Sequence, residues 1–528
     1  MMDESGTPLH RRAVGIDLGT TFSAIACLNN FGKPQLIPNA ENERLTPSVI
    51  LFEDGQAIVG SIALQNAVAN PQNIVDFVKR EMGKSRNQFH RIFHGRAFTA
   101  EELSALILTK LKHDGEKHLG ETITDAVITV PAYFNDAERT ATINAGQMAG
   151  LNVLQVINEP TAAALAYGID KLDQDQTVLV FDLGGGTFDV TIMRIESHHI
   201  TMLASNGDHR LGGKDWDDII CDWIAEEFDR EHNQNPMLDL HSYQDLYLRS
   251  LNAKIQLSSR AATTVVHQFE GKSVKVEINR EEFERRTKHL SERCKMICEI
   301  ALEEARLDGS KIDRILLTGG MTRIPSIREM IVELAKGVSI DDGFNPDEAV
   351  AAGAAIQANL LLLREENATG ERALPTTLRE RFSTDDGELF GVTNITTHTL
   401  GVVLWDEARN EEYVFPMIPR MTAIPAEKQS AFGLARHGME KVTVRVVEGE
   451  STVPGECTVL GHCVISLPSG MAKGDPITLT YCYDESQVLE VLVDAGGKQA
   501  RAVIDRNNGL SEDEIAQSRV DLGRFSAA

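Results

Sequence analysis

From Ala13 to about residue 365, short runs of β-branched and aliphatic residues alternate with longer stretches in which apolar positions recur every three or four residues. Residues 14–16, 126–130, 177–181 and 314–317 predict buried strands, and residues 100–118, 137–148, 161–167 and 280–306 predict helices. The pattern is that of an α/β fold. From about residue 394 to 505 the period drops to two, in short segments cut by Gly, Pro, Asp and Asn turns, among them 442–447, 463–467, 477–483 and 488–493. That is the signature of a β-sandwich. Between the two regions, residues 364–387 are polar and charged without sustained apolar periodicity and predict a loop or linker. Near the end, Ser511 and Glu514 are spaced as a capping box, so a short helix and a frayed tail are expected there.

Within the α/β region one piece of grammar occurs twice. A strand ends in Asp17-Leu18-Gly19-Thr20-Thr21 and the chain resumes as a strand from Phe22; another ends in Asp182-Leu183-Gly184-Gly185-Gly186-Thr187 and resumes from Phe188. The repetition predicts a duplicated subdomain with a cleft between the copies.

A length of 528 residues exceeds what one hydrophobic core serves, so at least two domains are expected. A formal charge of -26 repels phosphate backbones and anionic lipid, so neither nucleic acid nor membrane is an expected partner. The acidic start Met1 to Gly6 is unlike a signal peptide, and the longest aliphatic run, Leu360 to Leu363, is too short for a bilayer; a soluble cytoplasmic protein is the expectation. Seven cysteines without a C-x-x-C pair suggest neither a disulfide framework nor a zinc site, and Cys294 and Cys298 read as a buried pair on one helix face.

The two glycine-threonine turns carry the candidate chemistry. They free backbone N–H groups and hydroxyls to face a phosphate, and an aspartate at the end of each preceding strand can hold Mg2+ through water. A single such turn is more often an ordinary hairpin; two copies are more specific. A third turn, Gly319-Gly320-Met321-Thr322-Arg323-Ile324, offers close backbone approach and a guanidinium able to stack on a base.

These segments, together with Val130-Pro131-Ala132-Tyr133-Phe134-Asn135-Asp136, Ile157-Asn158-Glu159-Pro160-Thr161-Ala162-Ala163-Ala164 and Asn345-Pro346-Asp347-Glu348-Ala349-Val350, resemble the signatures of the Hsp70 chaperone family in family order. The resemblance implies an actin-like (duplicated ribonuclease H-like) two-lobed ATPase domain binding ATP or ADP with Mg2+, followed by an all-β substrate-binding sandwich. It implies that Asp17, Glu159, Asp182 and Asp189 surround metal and attacking water, with Asp17 and Asp182 nearest the metal. Thr187 then lies near the γ-phosphate, and Lys79 reaches the phosphate and water. Gly19, Thr20, Thr21, Phe22, Gly184, Gly185, Gly186, Gly212, Gly213, Lys254, Ser258, Gly319, Gly320, Arg323, Ile324 and Asp347 become nucleotide contacts. Pro131 and Arg139 become the relay to the outside of the domain. By type alone, Lys79 would be a solvated lysine, and Pro131 and Arg139 are as often plain structure.

The β-rich part resembles the family's peptide-binding sandwich through Leu400-Gly401-Val402, Ile424-Pro425, Val442-Thr443-Val444 and Glu448-Gly449-Glu450. By carry-over, Val402, Phe432, Val442 and Val444 line a groove for an extended apolar peptide, with Trp405 and Ala435 at the arch above it. The same valines also suit a plain sandwich core. The resemblance implies client peptides, a J-domain co-chaperone and a nucleotide exchange factor as partners.

Departures from the family pattern accompany these matches. Leu251 replaces an acidic ribose contact, which weakens nucleotide binding by about 1 kcal/mol if one hydrogen bond is lost, and Ile255 follows Lys254. Asn394 stands at the acidic position of the linker, and Gln155 where an arginine precedes the Glu-Pro motif, both positions serving J-domain recognition in the family. A dedicated J-domain partner is therefore expected over a generic one. The segment between Met82 and Thr99 is short, and little sequence follows Glu514 to build a lid, as in short bacterial members of the HscC type.

The expected division is 1–388 for the ATPase domain, 389–394 for the linker, 395–506 for the sandwich and 507–528 for a helical stub. The expected function is a chaperone whose ATP hydrolysis drives binding and release of extended hydrophobic peptides. The rival reading is an ATP-dependent regulator or scaffold for one dedicated protein, without a refolding cycle. A small-molecule kinase on the same fold is disfavoured, because a sandwich supplies no phosphoryl acceptor pocket.

Overall fold

The computed structural model describes residues 12–168, 175–196, 199–338, 340–341, 345–370, 374, 376–383, 389–495, 497–502 and 510–525. The expected domain boundaries at 388 and 506, and much of the polar stretch 371–387, fall outside the described residues.

Two sheets share one strand order. In the first, the antiparallel meander Ala13–Asp17, Phe22–Leu28 and Pro34–Leu36 is extended on its first strand by the parallel strands Asp125–Val130 and Asn152–Asn158. In the second, the meander Gln176–Leu183, Phe188–Glu196 and His199–Asp208 is extended on its first strand by the parallel strand Arg314–Thr318. The predicted repeat is thus a repeat of strand order. Each Asp-Gly motif sits where the first meander strand turns into the second.

The helices Glu159–Gly168 and Ala349–Thr369 join the lobes back to back. Their small-residue faces let main chains approach each other closely. A Cβ at Gly353 would lie 1.7 Å from the Ala162 carbonyl oxygen, and one at Gly15 would lie 2.0 Å from the Ala355 nitrogen. The second helix runs to Thr369 and is stopped by Gly370 at φ 78°, and a further helix spans Thr376–Phe382. The expectation of a loop over 364–387 is therefore wrong for these parts. Polar residues end the apolar stripe there, yet buried Glu366 still takes hydrogen bonds from Leu374 N–H and Arg379.

The β-rich part is a sandwich of two four-stranded sheets. One has the order Glu411–Ile418, Leu400–Asp406, Lys441–Glu448, Thr458–Ser466; the other has the order Ala426–Gly433, Pro476–Tyr483, Leu489–Ala495, Lys498–Ala502. Val402, Val446, Tyr481 and Val491 close the core between them. The segment Gly391–Ile395, by contrast, joins the α/β region, pairing parallel with His199–Asp208. The helix Glu512–Leu522 begins with the expected Ser511 and Glu514 capping box and lies on the first lobe.

Candidate functional site

The carboxylates at the ends of the first strand of each meander meet at the bottom of the cleft. Asp17 is held by Thr129 Oγ1, which donates at 3.3 Å, and Asp182 sits one strand end away in the facing lobe. Glu159 opens the helix that follows strand Asn152–Asn158, and Asp189 lies in register with Asp182. All four are buried or nearly so. Burial first, and Glu159 second, push Asp17 and Asp182 up to about 7, and burial with Glu159 and Asp182 raises Asp189 well above its ordinary value. Carboxylates crowded this way accommodate a cation.

Lys79 enters this cluster from the short 3-10 helix Val78–Glu81 and donates to Glu159. Burial alone would lower its pKa, but Glu159 and Asp17 outweigh it and hold the ammonium above its ordinary value. It is a buried cation, unlike the solvated lysine its residue type alone suggests.

The two hairpins touch. A Cβ on Gly185 would lie 1.7 Å from Thr21 Oγ1, and one on Gly186 would lie 2.4 Å from Thr20 Cγ2. Gly212 packs as closely, 2.5 Å from its would-be Cβ to the Gly186 carbonyl carbon. Thr21 Oγ1 is buried without a protein partner. Thr187 is buried beside them. Glycine is demanded at 185 and 186 by the threonine side chains of the facing hairpin, and at 212 by the main chain of Gly186.

A cavity of about 400 Å³ extends from this floor. Its far wall is the helix Leu240–Leu257, whose Tyr247, Leu251, Lys254 and Ile255 share one face with the following Ser258. Gly319, Gly320, Arg323, Ile324 and Asp347 line the opposite side, with Arg323 paired to Asp347. Gly319 has a positive φ of 79° and also no room for a side chain, since a Cβ there would meet the Leu183 oxygen at 2.3 Å. Lys254 Nζ donates to Asp217 Oδ2 and to the Gly213 carbonyl, both at 2.8 Å. Asp217 thus belongs to the site although sequence reasoning missed it. Tyr247 was also missed, although the spacing 247, 251, 254, 258 puts it on the Lys254 face.

Among the described residues, no three His, Cys, Asp or Glu side chains come together as a metal cage. Asp17, Asp182 and the threonine hydroxyls are hard oxygen donors that fit Mg2+ bound partly through water and phosphate.

A chain of contacts leads outward. Ala132 N–H donates to Asp189 Oδ1 at 3.0 Å, and the Ala132 carbonyl, just after Pro131, accepts from Arg139 Nη2 at 2.8 Å. Arg139 is fully buried and also holds the Phe134 carbonyl and Asn158 Oδ1. Its helix, Asp136–Met148, presents Asp136 to Leu489 N–H of the sandwich at 3.0 Å. Of the two departures at J-domain positions, Gln155 lies in that interface and Asn394 on the linker strand against the helix Glu159–Gly168. Gln155 donates to the Glu485 carbonyl, and Asn394 Oδ1 accepts from Thr161 Oγ1.

A family model described as "Hsp70 protein" matches residues 13–527. The chain belongs to the Hsp70 family. Its curated Hsp70 relatives include proteins named "Chaperone protein DnaK" from Thermotoga petrophila and Thermosipho africanus, each 39% identical across 97% of this chain and 83% of the relative. A third, from Thermus thermophilus, bears the same name and is 39% identical across 96% of this chain and 82% of its own length. As an Hsp70 the chain is an ATP-hydrolysing chaperone with an actin-like two-lobed ATPase domain and a β-sandwich substrate domain. No helix among the described residues is long and apolar enough to cross a membrane.

In this Hsp70, the six residues expected at a peptide groove are not equally open. Val402 and Val444 are buried in the sandwich core, Phe432 and Val442 are half-buried, and Trp405 and Ala435 are exposed. Phe432 meets Phe415 edge to face, ring centres 5.3 Å apart.

Proposed function

We propose that ATP hydrolysis in this cleft sets the affinity of the sandwich for extended apolar segments of client proteins. The observation that carries this reading is the run of contacts from Asp189 through Ala132 to Arg139, whose helix meets the sandwich at Asp136, beside a linker strand paired into the ATPase sheet. Two arrangements with different peptide affinity couple to nucleotide only through such shared contacts. We assign the ATPase domain to residues 1–388, the linker to 389–394 and the sandwich to 395–506.

Asp17 and Asp182 would hold Mg2+, which neutralises phosphate charge when bound. The N–H groups of the two glycine turns hold phosphate oxygens, and Thr187 adds a hydroxyl donor. Glu159 and Asp189 accept hydrogen bonds from an attacking water and align it, and the ammonium of Lys79 stabilises the charge that develops on the transferred group. Lys254, Ser258, Arg323 and Ile324 hold the nucleoside end. In the sandwich, half-buried Phe432 and Val442 offer the apolar floor for a peptide, backed from the core by Val402 and Val444, beneath an arch carrying Trp405 and Ala435. A J-domain protein and a nucleotide exchange factor complete the cycle in the cytoplasm.

The test is single-turnover ATP hydrolysis with and without an extended Leu-rich peptide. Wild type hydrolyses faster with peptide, whereas Lys79→Ala is slower by about a hundredfold or more under both conditions. Equal rates for wild type and variant remove Lys79 from the chemistry. A peptide-indifferent rate supports a scaffold instead.

A further inference from the structure

The cleft is bridged by side chains that none of the chemistry uses. The segment Phe77 to Arg80 reaches from the first lobe to the second. Val78 and Met82 are buried in the first lobe's core, while the Phe77 ring packs against the core of the second. There Phe77 meets Tyr247 edge to face, ring centres 5.9 Å apart. The ammonium of Lys214 lies 5.5 Å from the Phe77 ring centre and 5.8 Å from that of Tyr247. It is fixed there by both oxygens of Asp218, at 2.7 and 2.8 Å. Three residues further on, Arg80 crosses the same gap to the Gly186 carbonyl and to Asp215 Oδ2, at 2.8 and 2.7 Å.

The backbone is bent to make this possible. Phe77 has φ 54°, in the left-handed region that an aromatic residue adopts only where its surroundings hold it. The bend turns the Phe77 ring toward the second lobe and leaves Lys79, two residues on, pointing into the cleft.

We propose that Phe77, Lys214 and Tyr247 form a clasp across the cleft whose opening limits the release of bound nucleotide. The inference rests on the cleft being the nucleotide site. All three side chains line the cavity that extends from the phosphate floor. Leaving requires the lobes to part, and parting separates one ring pair and strips a cation from two aromatic faces.

The experiment is the loss of radiolabelled ADP from the full-length protein after a chase with unlabelled ADP. Tyr247→Ala releases ADP about tenfold faster than wild type and Lys214→Met roughly threefold faster, whereas Tyr247→Phe, which keeps the ring, stays within about twofold. Thermal unfolding without nucleotide checks each fold; should Tyr247→Ala not fold, Lys214→Met and Tyr247→Phe decide. Release from Tyr247→Ala and Lys214→Met at the wild-type rate overturns the clasp. So does a Tyr247→Phe rate as fast as that of Tyr247→Ala. A wild type that retains no ADP at all overturns the nucleotide site itself, a different result from the other two.

Discussion

Single atoms decide whether the two hairpins can face each other. Gly186 has no room for a methyl group, since the Thr20 side chain occupies the place where it would sit. Gly186→Ala is expected to push the turns apart and weaken ATP binding by more than about tenfold, measured by calorimetry, with a stability loss of about 1–3 kcal/mol. A variant that binds ATP as wild type does would show that the threonine can yield. Arg139 is decided by geometry as well as charge. It holds two carbonyls and Asn158, while burial depresses its pKa. Lysine has neither the planar fork nor the reach, so Arg139→Lys should uncouple peptide stimulation while leaving the unstimulated hydrolysis rate within about threefold. Equal stimulation in both proteins would count against a relay through this residue.

Among the elements, what the sequence revealed followed from periodicity. Strands at 126–130 and 314–317 and helices at 100–118 and 137–148 were readable to within one or two residues, because each presents one continuous apolar face. The polar end of the helix Ala349–Thr369 was not, because its last turns hold themselves through Glu366 rather than through apolar contacts. In the site, the aspartates and glycines were legible from their turns. Phe77, Lys214 and Tyr247 were not, because they come from three separate segments and their meaning lies only in meeting. The terminal helix was visible from its cap, but its landing place was not. Phe525, just beyond it, lies edge to face with Phe98 at 5.2 Å and under the Arg96 guanidinium, and its carbonyl accepts from Ala57 N–H. Phe525→Ala should raise amide exchange across residues 512–522 by about tenfold, with the lobe beneath unaffected. Unchanged exchange there would mean that the helix is held by Leu522, Ile515 and the hydrogen bond from Ser518 Oγ to Glu102.

For the whole molecule, the contact between lobes and sandwich contains a titrating group. Glu448 is buried 3.6 Å from His398, and burial, then Asp136 and Glu138, raise its pKa from 4.5 to about 8 against the pull of Arg139. A raised carboxylate stabilises this arrangement in full below pH 4.5 and loses that contribution as pH climbs through 8. Docking of the sandwich, followed by fluorescence transfer between labels on the two domains, should weaken from pH 6 to pH 8.5, and Glu448→Gln should flatten the profile. A profile equally steep in the variant would place the titration elsewhere.

The sandwich is bound at both of its chain ends, by the strand Gly391–Ile395 on the second lobe and by the helix Glu512–Leu522 on the first. A module moored to opposite banks feels any change in the width of the channel between them. When one mooring slips, the other keeps its berth close, so recapture is an intramolecular event at high local concentration rather than a search through solvent.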